Sequence, residues 1–188
     1  MSALAILGGS MASPLARAMQ IERMDVERNG DRFTVRAAMV LKVAEPSAFA
    51  AATDYERLPE YNPSILSSRR LGDDRLRSDM RLCAAWFCKT VRQTLTVTEQ
   101  PPTAIDMQVV PGSGDLKQGS AHWRFLPAGE GHTRLAFEAD IQPAFWVPPL
   151  VGGYLVAREL RRQAEITGRA IERLAADMDA HRPGQAPN

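Results

Sequence analysis

The sequence predicts an α+β fold: a curved antiparallel sheet of about seven strands packed along one long C-terminal helix. Three observations carry the prediction. Period-2 alternation of apolar residues recurs in short runs separated by Gly- and Pro-containing turns. An Ala-rich interruption breaks that alternation at residues 45–63, and beyond Pro149 the apolar spacing changes to three and four and stays there up to the tail.

The elements follow in order. In "RFTVRAAMVLKV", Phe33, Val35, Ala37, Met39, Leu41 and Val43 fall on one face, with Thr34, Arg36 and Lys42 opposite, which is a strand. Asn29-Gly30 is a favoured hairpin turn and pairs this strand with "IERMDVER" before it. "EPSAFAAATDYERLPEYNP" then predicts two short helices: Pro46 and Ser47 suit the first start, and Asp54 suits an N-cap before Tyr55 to Glu60. Alternation returns in "SILSSRRL", "RLRSDMRLC", "CKTVRQTLTVTE", "TAIDMQVV", "GSAHWRFL" and "HTRLAFEADI", at hairpin spacing. The last helix carries Leu160, Ala164, Thr167, Ile171, Leu174 and Met178 as an apolar stripe long enough to lie along the whole sheet.

Composition bounds the function. At 188 residues, 45% apolar and 24% charged, the chain fits one soluble domain with a sizeable core. Lys plus Arg number 23 against 22 Asp plus Glu, so there is no electrostatic footprint for nucleic acid. The charge-free window 141–157 holds three prolines and two glycines and is too short and too broken to span a bilayer. At the amino end an apolar patch (Ala3 to Leu7) precedes Ala16-Arg17-Ala18, an A-x-A cleavage pattern, but no Lys or Arg precedes Arg17. Residues 1–18 are therefore expected to be a leader or a truncated signal peptide, 19–180 the domain, and 181–188 a disordered tail.

Two stretches carry a resemblance. "TDYERLPEYNPSILSSRRL" (53–71) is similar to the segment where bacterial polyketide-cyclase-like proteins place a Tyr, a Pro and an aromatic before the next strand, and "FWVPPLVGGYL" (145–155) is similar to their Pro-containing entry into the final helix. With the order of elements, these resemble the helix-grip fold of the START-like (SRPBCC, Bet v 1-like) superfamily, in its polyketide cyclase/dehydrase and coenzyme-Q-binding-like bacterial branch.

The resemblance implies a cavity between helix and sheet that takes a hydrophobic small molecule: a lipid, a quinone or a polyketide. Inward parity assigns Met80, Leu95, Met107, Trp123, Phe125 and Phe137 to its wall, with Tyr55, Tyr61, Phe145, Trp146 and Tyr154 near its mouth and Ser67, Arg69 and Gln93 as polar groups on cavity-side parity. Each of these side chains taken singly also reads as ordinary core or rim. No catalytic residues, metal ligands or cofactor are assigned. His122, His132 and His181 fall on an outward parity, a turn and the tail, and no H-E-x-x-H, G-x-S-x-G or phosphate-cradling loop occurs.

Cys83 and Cys88 both point outward at the two ends of "AAWF", where a cross-strand pair can lie within disulfide reach. Two ligands make a poor zinc site and C-x4-C is not the redox C-x-x-C, so a disulfide in a periplasmic or secreted protein is expected, with two free thiols in the cytoplasm as the alternative. Arg69, Arg70, Arg75, Arg77, Arg81, Arg158, Arg161 and Arg162 read as a solvated face, or as partners of anionic headgroups while Phe145, Trp146, Val147 and Leu150 make transient membrane contact. The function expected is carriage of a hydrophobic ligand. A cyclase or aromatase using the same cavity is the enzymatic alternative, and a ribosome-associating START-like module is the interaction alternative. Oligomeric state is not legible.

Overall fold

The structure is a computed structural model that describes residues 19–84, 86–147 and 153–181. Its elements are β1 (Gln20–Asn29), β2 (Arg32–Leu41), α1 (Glu45–Thr53), α2 (Leu58–Tyr61), β3 (Ile65–Arg70), β4 (Arg75–Ala84), β5 (Phe87–Gln100), β6 (Ala104–Val109), β7 (Leu116–Pro127), β8 (Thr133–Pro143) and α3 (Gly153–Ala180). The expected leader, most of the tail, and Pro148, Pro149 and Leu150 lie outside the described residues.

The described strands number eight, one more than expected, and form one antiparallel sheet in the order β1-β2-β8-β7-β6-β5-β4-β3. The first hairpin turns one residue later than expected, at Gly30-Asp31, since Asn29 still pairs with Arg32; Gly30 has φ +63°, a conformation a glycine adopts without strain. All neighbours except β2 and β8 are consecutive in sequence, and that pair brings Phe33 opposite Ile141 and Leu41 opposite Thr133. β2 buries alternate residues, Phe33, Val35, Ala37, Met39 and Leu41, as its period requires.

Pro46 stands in the first turn of α1, where its missing N–H is harmless. Asp54 ends α1 instead of opening α2; the second helix is a single turn starting at Leu58, with Pro59 in that turn. The α1 face carrying Ala48, Phe49, Ala51 and Ala52 is buried, and the Phe49 ring meets Phe125 edge-on at 5.5 Å.

α3 lies across the concave face but not evenly. In its C-terminal half Ala170, Ile171, Leu174 and Ala175 are all buried to 1% exposure or less. At Gly168 a Cβ would come within 2.9 Å of the Met39 Sδ, 3.2 Å of the Met19 Sδ and 3.4 Å of Leu41, so a larger residue would make these side chains shift where the helix lies against β2. In the N-terminal half Leu160 and Ala164 are only half-buried, although they continue the same stripe. Helix and sheet meet tightly at one end and stand apart at the other.

Candidate functional site

The gap left by the N-terminal half of α3 is a cavity of about 300 Å³. Its helix wall is Leu160, Gln163, Ala164 and Thr167. Its sheet wall runs from β1 to β4 across the sheet and owes its depth to small residues: Ala37 on β2, Gly119 and Ala121 on β7, and Ala139 on β8 all line it. Ala121 pairs directly with Ala139 and Gly119 with Ile141. A side chain at Gly119 would press within 3.0 Å of the Asp140 carbonyl and 3.2 Å of Ile141. Larger groups close the sides, among them Met80, Leu95, Met107, and the Trp123–Phe137 pair with ring centroids 4.7 Å apart. No charged side chain is among the described residues that line it.

Phe145 and Pro143 belong both to this cavity and to a more open groove of about 420 Å³, whose remaining walls are Arg28, Gly30, Asp31, Lys117, Ala144, Trp146 and Val147. The groove is larger and more polar, whereas the inner space is almost wholly apolar, as hydrophobic ligand sites are. Phe145 therefore stands at the mouth, with Lys89 Nζ 5.1 Å from its ring centroid. Lys89 is itself tied to Asp115 at 3.2 Å, and the Asp115 carbonyl accepts from the Ala144 backbone at 2.8 Å, fixing the segment before Phe145.

The family model for polyketide cyclase / dehydrase and lipid transport matches residues 41–166. The chain belongs to this family. It is START-like, and the architecture agrees with solved structures. A START superfamily protein from Mycobacterium smegmatis is 18% identical with a TM-score of 0.62, over 77% of this chain and 98% of that one. A protein from Thermus thermophilus is 20% identical with a TM-score of 0.63, again over 77% and 98%. The Zhui aromatase/cyclase from a Streptomyces species is 12% identical with a TM-score of 0.62, over 82% and 99%. At such identities the likeness is one of fold. Among curated proteins none matches this chain in sequence.

In this polyketide cyclase and lipid transport family member the expected site residues divide. Met80, Leu95, Met107, Trp123, Phe137, Phe145 and Gln93 line the cavity. Phe125 does not: it shares the inward parity of Trp123 but lies further along β7, fully buried beneath α1. Trp146 is 72% exposed on the outer groove, and Tyr154 is 77% exposed in the first turn of α3.

Tyr55 and Tyr61 lie at the other end of the molecule. The Tyr55 hydroxyl donates to Glu99 at 3.1 Å while Arg70 bonds the same carboxylate and sits 4.8 Å above the Tyr55 ring. Burial, and then the Glu99 charge, push the Tyr55 phenol well above its ordinary value, so it serves as a neutral donor. The Tyr61 hydroxyl donates to Asp177 at 3.0 Å, and Arg57 pairs with the same carboxylate, tying α2 to the C-terminal end of α3. The "TDYERLPEYNP" segment thus clamps the closed end of the grip.

Ser67 and Arg69 face solvent. A β-bulge between Ile65 and Ser67 shifts the parity of β3 by one, turning Ser68 and Arg70 toward the sheet's inner side instead. His122 is on the outer face, bonded to Asp106 at 2.7 Å beside Arg124. Among the described residues no cluster of three or more His, Cys, Asp or Glu side chains could hold a metal.

Cys83 and Cys88 pair directly across the β4–β5 hairpin, and the structure joins their sulfurs. The hairpin tip presents Trp86, 75% exposed. Sequence reasoning read Ala37, Leu160, Ala164 and Thr167 only as core-facing positions and passed over Gly119, Ala121, Ala139 and Gln163, although small residues at alternate positions of β7 were the available signal.

Proposed function

We propose that this protein binds and carries a hydrophobic small molecule of the lipid, quinone or polyketide kind in the space between α3 and the sheet. One observation carries the reading: an apolar cavity of about 300 Å³, with no charged residue among the described residues that line it, where small residues on three adjacent strands face a helix that stands off from them. That volume lies at the lower end of sites for drug-sized ligands, and each buried methylene of such a ligand contributes about 0.8 kcal/mol, so an apolar chain binds here without a charged anchor.

Two further observations support the setting. The cysteine pair suits a carrier working in an oxidising compartment such as the periplasm. Two exposed aromatic residues, Trp86 and Trp146, flank the mouth in sequence: Lys89, three residues beyond Trp86, reaches Phe145, next to Trp146. Aromatic side chains at such a rim favour the interface of a bilayer from which an apolar ligand could be taken.

The test is Ala121→Leu together with Ala139→Leu. Both substitutions project into the cavity, so the fold should persist while ligand recovered by native mass spectrometry and organic extraction from the producing cells falls at least about tenfold, the scale for displacing a few buried methylenes. Unchanged ligand content in a folded double variant would place the ligand elsewhere. A wild-type protein that is always empty would end the carrier reading.

A further inference from the structure

The outer face of the sheet divides its arginines into two groups. On β2, β7 and β8 every arginine has a carboxylate partner: Arg32 with Asp140, Arg36 with Glu138 at 3.0 Å, Arg124 with Asp106 at 2.9 Å and Arg134 with Glu22 at 2.9 Å. On β3, β4 and β5 the outward arginines are Arg69, Arg75, Arg77, Arg81 and Arg92, all exposed, and none forms an ion pair with a described residue. Asp115 feels the charge of Arg92 but is bonded by Lys89 at 3.2 Å. Arg69 and Arg77 stand directly opposite each other, a like-charge pair that opposes folding.

Against these five cations the described residues of the same face set one carboxylate, Asp79, opposite Arg92, while Asp73 and Asp74 lie in the turn before Arg75. From Arg75 to Arg81 the strip is about 20 Å long. The whole chain has a formal net charge of +1, so the excess is local. A solvated face interleaves its charges, as β2 and β8 do; β3 and β4 do not.

The β4–β5 hairpin joins this face to two other features. Its tip presents Trp86, 75% exposed, next to the Cys83–Cys88 pair. On its inner side Met80, Leu82, Val91 and Gln93 line the cavity. An acidic peptide would match only the cations. A bilayer with anionic headgroups matches both, with the arginines among the phosphates and the indole at the interface.

We infer that the outer face of β3–β5 docks onto an anionic phospholipid surface, so that the hairpin whose inner side walls the ligand space is the one laid against the bilayer. The inference rests on the proposed carrier role and names the surface at which the carrier works.

The experiment is co-sedimentation of the full chain with vesicles of phosphatidylcholine, alone and mixed with phosphatidylglycerol. Binding should need phosphatidylglycerol and weaken as salt is raised. Arg69→Gln with Arg77→Gln should lower affinity for the mixed vesicles at least about tenfold, since each cation near such a surface strengthens binding roughly fivefold. This variant relieves the like-charge pair, so it should be at least as stable as wild type. Arg36→Gln with Arg124→Gln removes the same charge where carboxylates already balance it, and should change binding far less; exposed ion pairs add little stability, so it too should fold. An equal loss in the two variants, or equal binding to both kinds of vesicle, would overturn the docking face. Wild-type protein that binds polyglutamate and not vesicles would overturn the lipid partner in favour of an acidic protein. The apolar dye Nile red should bind wild type and both variants alike, because none of these arginines lines the cavity. Vesicle binding without dye binding would end the carrier reading and leave the docking face standing; dye binding without vesicle binding would do the reverse.

Discussion

Phe125→Ala and Phe137→Ala remove the same atoms from inward positions of adjacent strands, yet they should differ by about a factor of two in stability. Phe125 is 0% exposed and is packed against Phe49 on α1. Its ring contributes about 2–3 kcal/mol of transfer free energy, and the rigid surroundings add a cavity term, giving about 4 kcal/mol in all. For a chain of this length each kcal/mol lowers Tm by about 2–4 °C, so Phe125→Ala should melt about 8–16 °C below wild type.

Phe137 has packing on one side only. It stacks against Trp123 at 4.7 Å, and its other side faces the open cavity, where there are no partner atoms to lose. Its truncation enlarges an existing space and should cost about 1–2.5 kcal/mol. Urea unfolding followed by far-ultraviolet circular dichroism measures both, with the m-value as a check that the unfolded states match. A Phe137→Ala loss equal to that of Phe125→Ala would refute the reasoning, because it would mean that the space beside Phe137 is filled in solution.

Three other outcomes are expected. Thiol alkylation of protein produced in an oxidising compartment should label neither Cys83 nor Cys88 until reductant is added, and reduction should lower stability by roughly 2 kcal/mol, the value for so short a loop; labelling of both without reductant would remove the disulfide. Hydrogen bonds from Arg57 and then Tyr61 hold Asp177 below the usual carboxylate range, so its stabilisation is present above the ordinary aspartate pKa and is lost as pH falls through the depressed value. Wild type and Asp177→Asn should therefore differ in urea midpoint at neutral pH and converge as pH falls below the ordinary aspartate range. Trp86→Ala with Trp146→Ala should reduce co-sedimentation with anionic phospholipid vesicles several-fold while leaving Nile red binding intact, since neither ring lines the inner cavity.

The sequence made the faces of the sheet legible, and not the positions along it. Alternation places Trp123 and Phe125 on the same side of β7, and both do face inward. Only the tertiary arrangement puts one beside the cavity and the other under α1, since period 2 carries no information about which end of a strand a helix covers. Tyr55 and Tyr61 were expected at the mouth for the same lack of depth; they hold the closed end through Glu99 and Asp177. Parity itself failed only in β3, where the bulge after Ile65 adds a residue that no local pattern announces. Cys83 and Cys88 were legible as neighbours because a short hairpin fixes register as well as face.

The uneven grip of α3 explains how one chain can have both a well-packed core and a cavity. Gly168 brings the helix onto Met39 and Leu41, and from there to Ala175 the contact is complete. A straight helix seated closely at that end can stand off at the other, provided the facing strands do not fill the gap, and Ala37, Gly119, Ala121 and Ala139 leave it open. Stability is thereby concentrated around Phe125, Leu135, Ile171 and Leu174, and the ligand space around Trp123, Phe137 and Gln163. Substitutions in the second group can alter what is bound with modest loss of stability, while those in the first unfold the protein before they change its selectivity. A bulky residue at Gly168 would couple the two, because pushing the helix off Met39 loosens the core and widens the cavity in one movement.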